Sequence, residues 1–361
     1  MNDANGLISF IASMSGEGNL RVEENLGEGY VRLRVSEAER RQAKHDIQHV
    51  EDIVIEMLRN ARDAGADKVY LATTKEDGVR TLVFLDNGSG VPQDMQKRIF
   101  DARVTSKLES MKMDRWGVHG RGMALFSIKQ NTDEARVVAS DVDLGSVFKV
   151  SVATDRLGER ADQSSWPQAV KDEDGHYVCA RGPHNIIRAA CEFALEELRA
   201  CDVYLGSPSE IAATLHAQAS SRLDASRLLF IDDEAELPVV DRLGLASDAE
   251  DFIRICSGLG LEMSERTAHR ILAGQIKPVR GVTARLLRER DSSSHASAPV
   301  DLAKDRRGLR IAKDDMAQFS RAVERDFNDL ASRYYLNLCG DPKIRVSRDR
   351  ITVTFDLAKE E

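Results

Sequence analysis

The stretch "EMLRNARDA", residues 56–64, constrains this chain more than any other. Glu56, Asn60 and Asp63 are spaced four and then three apart, so on an α-helix they stack within a narrow wedge of one face. The apolar residues Val54, Met57, Leu58 and Ala61 form a stripe directly beside that wedge. The polar line therefore borders the buried face instead of opposing it. Asn and Asp are mediocre mid-helix residues, because their side chains compete for local backbone groups. A fold that keeps them there has a use for polar groups at the edge of its core. For one such polar pair alone, a solvated helix face is the simpler reading, and the neighbouring motifs decide.

The segments around this helix alternate between strand and helix. "GYVRLRV" alternates as a strand does, and a helical pattern follows from about Ser36 through Ala64 to Gly65. "DKVYLATTK" and "RTLVFLDNG" read as two strands joined through "EDG", a turn signal of the hairpin type. A short helix is expected in "PQDMQKRIF" with Pro92 at its start, and another from about Met123 to Gln130. Strands are expected at "EARVVASD" and "GSVFKVSVAT". The result is an α+β reading: a two-layer α/β domain over residues 1–155, then an exposed connection over 156–184. A mainly helical region follows at 185–290, interrupted by a possible strand at "LLFID". A Ser-rich linker at 291–300 leads to a C-terminal strand-helix-hairpin unit at 301–361, with its helix from Lys313 to about Leu336.

Three further motifs sit in the first domain. "FLDNGSGV" carries a strand into an acid and two glycines, which puts Asp86 at a strand end and leaves Gly88 and Gly90 able to admit a ligand close to the backbone. "GVHGRGMALFSI" is a glycine-rich loop opening a helix. Gly117, Gly120 and Gly122, running into Met123, can present backbone N–H groups at the positive end of a helix dipole. "GSVFKV" brings a glycine and the hydroxyl of Ser146 into a strand. Each alone has an ordinary structural reading as a turn, a loop or a strand entry.

In this order and on these elements, the four motifs resemble the GHKL ATPase superfamily, which includes gyrase B, the ninety-kilodalton heat-shock chaperone, sensor histidine kinases and MutL. The resemblance covers roughly Ser36 to Asp155 and implies a Bergerat-type fold holding Mg·ATP. It implies that Glu56 polarises water for attack on the γ-phosphate, that Asn60 ligates Mg²⁺, and that Asp86 accepts the adenine amino hydrogen with help from Ser146. Gly88 and Gly90 would pack the base and ribose, and Asp63 would order the pocket. Lys107 sits where several relatives carry a Ser-Lys ahead of the lid, as a phosphate contact or a solvated side chain. His119 and Arg121 within the glycine loop are unusual, and Arg121 is either a charge at the phosphates or a surface residue. "DAGADKVYL" and "TSK" resemble the MutL, topoisomerase VI B and MORC side of the superfamily, although the lid box keeps a third glycine that MutL's own version lacks. Several arms of the superfamily take a γ-phosphate lysine from a second domain. No lysine after Asp155 can be nominated for that role here.

Charge and composition narrow the partners. With 51 basic and 60 acidic residues the chain carries a formal charge of −9, which argues against a general nucleic-acid coat or a membrane-surface protein. No run of eighteen apolar residues and no basic leader is present, so a cytoplasmic location without a membrane span is expected. Five cysteines without CxxC spacing read as reduced structural thiols. Between Ser264 and Arg290, however, seven basic residues (Arg266, Arg270, Lys277, Arg280, Arg285, Arg288, Arg290) face two acids. That local patch is either a solvated helix face or a DNA contact. Two functions follow as expectations. One is an ATP-gated dimeric clamp acting on DNA with a partner protein, and the other is a chaperone-like or regulatory ATP switch acting on protein.

Overall fold

The computed structural model describes residues 22–106, 113–114, 116–118, 122–160, 162–223, 231, 233–287, 313–331, 336–338, 340, 342–346 and 351–359. The chain forms two compact units, residues 1–292 and 293–361. In the first, strands β1 (Val22–Gly27) and β2 (Tyr30–Leu33) precede helices α1 (Glu37–Asp46) and α2 (Val50–Asp63), then β3 (Lys68–Glu76) and β4 (Val79–Asp86). Short strands β5 (Val104–Thr105), β6 (Met113–Asp114) and β7 (Gly117–Val118) lead to α3 (Ala124–Asn131), β8 (Glu134–Ser140) and β9 (Ser146–Ala153). The hairpin β10 (Gln168–Lys171) and β11 (Tyr177–Arg181) is followed by α4 (Ile186–Glu196), β12 (Asp202–Gly206), α5 (Pro208–Arg222), α6 (Ala249–Gly258), α7 (Glu265–Leu272) and a last turn of helix at 282–287.

The main sheet has the order β12-β3-β4-β9-β8, with β12 parallel to β3 and every other pair antiparallel. Its strands obey the period of two on both faces. Leu71, Leu82, Phe84, Phe148 and Val150 join the core beneath α2 and α4 with Ile53, Leu58 and Phe193. Tyr70, Ala72, Val83, Leu85 and Val147 turn the other way, onto Ile211, Leu215, Phe252 and Ile255 of α5 and α6. The sheet and the α2 layer make the two-layer α/β domain, and the later helices add a third layer on the opposite face. This explains why "LVFL" reads as an unbroken apolar run: both faces of β4 are covered.

Several expected elements differ. The helix expected from Ser36 to Ala64 is two helices, since Ile47 and His49 are extended, and the Asp52 carboxylate accepts the His49 and Gln48 N–H groups at 2.9 and 3.0 Å. That cap starts α2 afresh. The helix expected at Pro92 is a series of turns ending in one 3₁₀ turn, Arg98–Phe100. The stretch expected to be an exposed connection over 156–184 contains β10 and β11, with Leu157, Ala169 and Cys179 buried in the first core. The region expected to be helical from 185 contributes β12 to the sheet, so the boundary expected at 155 does not separate compact units. The strand expected at "LLFID" lies mostly outside the described residues.

In the second unit, helix α8 (Lys313–Ala331) is shorter than the expected run to Leu336. Strands β13 (Leu336–Leu338) and β16 (Leu357–Lys359) pair antiparallel, as do β14 (Lys343–Val346) and β15 (Ile351–Thr354), and Phe327 stacks on Phe355 at 4.0 Å. No helix among the described residues is long and apolar enough to cross a membrane.

Candidate active site

Helix α2 is buried almost all round. Ile53, Val54, Met57, Leu58 and Ala61 are in the core, while Glu56, Asn60 and Asp63 are half-buried along one line. That line forms one wall of a cavity of about 530 Å³, within the usual range for a small-molecule site. Asp86, Gly90, Gly122, Met123 and Ser146 line the same cavity, together with the apolar side chains of Met57, Phe84, Ile99, Leu125 and Phe148. The polar wedge thus faces a cavity, which answers why helix α2 tolerates Asn and Asp.

Asp86 and Ser146 meet because the β4–β9 register makes them direct partners across the ladder. The Asp86 carboxylate is 4% exposed, and the Gly88 N–H donates to its Oδ1 at 2.9 Å. Ser140, at the end of β8, completes this corner. Its hydroxyl accepts the Val91 N–H at 2.8 Å and lies 2.8 Å from the Gly145 carbonyl and 3.1 Å from the Ser146 hydroxyl. The glycines have a reason beside the expected ligand approach. Gly90 has φ +72°, and a Cβ there would lie 1.8 Å from the Asp141 carbonyl oxygen, so it is protein backbone that fills this space. At Gly88 the Ala64 carbonyl and Asp86 take that part, and Gly88 is not among the cavity's lining residues.

Helix α2 also carries charge that the spacing of the motifs did not reveal. The Arg59 Nη1 donates to Glu56 Oε1 at 2.8 Å, while its Nε and Nη2 form a fork with Asp114 at 3.0 Å each. Arg62 donates to Asp63 and Asp114 at 3.0 Å and to Glu197 of α4 at 3.2 Å. Asp63 is therefore held in an ion pair with its neighbour Arg62. The side chains of Arg59, Arg62 and Asp114 are only 3–6% exposed, so these pairs are shielded from water and salt. The segment after β5 is in this way tied to helix α2. Across the cavity, Arg103 pairs with Glu39 of α1.

Of the remaining sequence candidates, Gly117 lies in β7 and is not among the cavity's lining residues. Lys107, His119, Gly120 and Arg121 lie outside the described residues. The residues missed were Arg59, Arg103, Asp114 and Ser140. Arg59 and Arg62 flank the wedge in "EMLRNARDA" and were a signal to look for buried counter-ions.

An Mg²⁺ ion prefers oxygen ligands and keeps several waters. The Asn60 carboxamide on the cavity wall, one turn from Glu56, fits such an ion with one protein oxygen.

In the basic segment, Arg266, Arg270, Lys277, Arg280 and Arg285 are exposed, and Arg288 and Arg290 lie outside the described residues. The Arg285 guanidinium stacks over the Trp166 ring at 3.8 Å. The Val279 N–H donates to Thr214 Oγ1 at 2.9 Å and anchors the segment to α5. Cys179, Cys191, Cys201 and Cys256 are all buried.

With this geometry in view, comparison with known proteins is specific to one stretch. Residues 47–140 match the family described as "Histidine kinase-, DNA gyrase B-, and HSP90-like ATPase". The proteins named DNA mismatch repair protein MutL of Staphylococcus aureus strains Newman, JH1 and N315 are each 28% identical over 136 residues. The match takes in 35% of this chain and 20% of each relative, so the chain spans about a fifth of the length of the curated relatives it matches. The stretch 47–140 is thus similar to the ATPase domain of the GHKL superfamily, with weaker similarity to MutL, which supports an ATP-binding domain there.

Proposed function

We propose that the chain is a Mg·ATP-dependent ATPase in which nucleotide binding gates a dimeric clamp on DNA, working with a partner protein in the cytoplasm. The observation that carries the nucleotide half is the convergence of Glu56, Asn60, Asp86 and Ser146 on one cavity that Gly122 and Met123 also line. In this reading Asp86 accepts the adenine amino hydrogen, with Ser146 and Ser140 beside it, and the apolar wall packs the base. Gly88 and Gly90 shape that corner. Asn60 holds Mg²⁺, which when bound would bridge phosphates and neutralise their charge. Glu56 orients and deprotonates the attacking water, and Asp63 keeps Arg62 in place. Gly122 and Met123 border the phosphates, and Gly117, Lys107, His119, Gly120 and Arg121 remain candidates for contacts to them on the sequence motif alone.

What supports DNA as the client is the row of exposed cations Arg266, Arg270, Lys277 and Arg280 on an otherwise acidic chain, together with the name of its relatives. A second reading, a switch acting on protein, is favoured by the Arg285–Trp166 stack, which gives one of the basic residues a structural use.

Binding to the native state at a hundredfold excess over Kd stabilises by about 2.7 kcal/mol. Mg·ATP should therefore raise Tm in wild type, and Asp86→Asn should abolish the rise because its amide can present a donor to the adenine amino group. A wild-type Tm indifferent to nucleotide would end the ATP reading. For the client, reversing Arg266, Arg270 and Lys277 to Glu should weaken DNA binding and flatten its salt dependence, which runs at about −0.9 log units per phosphate neutralised. Wild type that fails to bind DNA at low salt, with or without ATP, would favour the protein-directed switch.

A further inference from the structure

Among the described residues, the cationic side chains lining the cavity are Arg59 and Arg103. Arg59 is occupied: all three of its guanidinium nitrogens donate to Glu56 or Asp114. Arg103 differs. Its side chain is 6% exposed and pairs through Nη2 with Glu39, but its Nε–H is buried with no hydrogen-bond partner among the described residues. An unmade buried donor is costly, more so when charged, so such a group persists mainly where a ligand, ion or water takes it.

The backbone fixes where this guanidinium starts from. Arg103 has φ +60°, an uncommon conformation for a residue with a Cβ. It is held from both sides: its N–H donates to the Gly122 carbonyl at 2.9 Å, and its carbonyl accepts the Leu33 N–H at 2.9 Å. Gly122 has φ +68°, and a Cβ there would lie 2.7 Å from the Val104 carbonyl oxygen, so the end of the glycine loop and the Arg103 backbone pack as one piece. A guanidinium fork suits phosphate oxygens, and Glu39 presents a carboxylate to the same fork.

We propose that Arg103 binds the terminal phosphate of the nucleotide, with Glu39 as the anion that holds it until ATP arrives. The assignment rests on the ATP reading of the cavity. Glu39 is suited to the exchange. Its other oxygen accepts the Ser36 N–H at 2.9 Å and the Ser36 hydroxyl at 3.0 Å, so it stays anchored at the start of α1 when the arginine turns away. Its side chain is 38% exposed, so its carboxylate remains solvated once the arginine leaves.

The test is the affinity of the full chain for Mg²⁺ with a non-hydrolysable ATP analogue and with ADP, measured by calorimetry. Arg103→Gln should weaken the analogue by about 10- to 100-fold and leave ADP nearly unchanged. Glu39→Gln, which keeps the volume and the Ser36 contacts, should tighten the analogue by about threefold or more. Arg103→Gln with the wild-type ratio of analogue to ADP affinity would overturn the assignment, because a purely structural role would shift both ligands together. Should Arg103→Gln fail to fold, Glu39→Gln decides: unchanged or weaker binding of the analogue overturns the proposal. Wild type that binds neither nucleotide would overturn the ATP reading and this assignment with it.

Discussion

Asp114 is the residue whose loss should reveal how the segment after β5 is fastened to helix α2. Its carboxylate receives two N–H groups from Arg59 and one from Arg62, and its side chain is 5% exposed. Asp114→Ala leaves two buried guanidinium groups short of a partner. Removing one member of a buried pair costs about 3–5 kcal/mol, because the remaining charge stays desolvated. Here the remaining acceptors Glu56, Asp63 and Glu197 keep part of the compensation, so the lower end, about 3 kcal/mol, is expected. Against a typical total of about 5–15 kcal/mol this is a large fraction, and the urea midpoint should fall by on the order of 1 M. The chain's two tryptophans, Trp116 and Trp166, both lie in the first unit, so their fluorescence follows that unit. Trp116 is itself a local reporter, since its backbone N–H donates to Asp114 Oδ1 at 3.1 Å and its ring stacks on Phe193 at 6.3 Å. Adding Arg59→Met to Asp114→Ala should recover part of the loss. A destabilisation under about 1 kcal/mol, with no recovery in the double variant, would refute the view that this network holds the segment down.

Glu56→Ala should keep nucleotide binding yet lose hydrolysis by about 10²- to 10⁴-fold, measured as phosphate release; turnover equal to wild type would move the base elsewhere. Gly90→Ala puts a Cβ onto the Asp141 carbonyl at a positive φ and should cost about 2–5 kcal/mol in urea, whereas Gly175→Ala, at φ +84° with open space, should cost about 1–2. Burial pushes the Cys201 thiol up to about 12, with the Glu197 carboxylate adding to it, and burial alone pushes Cys256 to about 12. Both should therefore resist alkylation at pH 8 in the native protein and react on unfolding, as read by mass spectrometry. A chain ending at residue 155 should show no cooperative melt, while one ending at 292 should melt cooperatively and bind Mg·ATP.

The parts of the site legible in the sequence are those fixed by short-range rules. Glu56, Asn60 and Asp63 fall together because a helix repeats every 3.6 residues, and Asp86 lies at a strand end because its apolar run stops there. What was not legible depends on contacts between distant stretches. Arg59 and Asp114 are 55 positions apart, and Val91 and Ser140 are 49 apart. Neither pair leaves a local pattern, since an arginine beside a polar wedge looks the same whether it meets water or a buried carboxylate. The glycines illustrate a subtler constraint. Their positions were readable, but not that at Gly90 a Cβ would meet the Asp141 backbone, 51 positions away. The break at residues 47–49 was hidden because Asp52, which caps α2, is an unremarkable acid in a charged helical pattern.

Strand β12 and helices α4 to α6 make the later half of the first unit part of the nucleotide-binding fold. Without β12, the paired edge of β3 from Lys68 to Ala72 would lie open, and an open edge invites association. Without α5 and α6, Tyr70, Val83, Leu85 and Val147 would face water. Covering such side chains stabilises by about 1.5–3 kcal/mol each, so together they rival the whole stability of a domain. The same half is tied to helix α2, because Glu197 at the end of α4 accepts from Arg62, which also holds Asp63 and Asp114. A movement of the Asp114 segment must therefore repartition the Arg62 hydrogen bonds between that segment and α4. Helix α4 is in this way linked through one guanidinium to the residues that contact the cavity, and β12 follows it in the chain after a short turn.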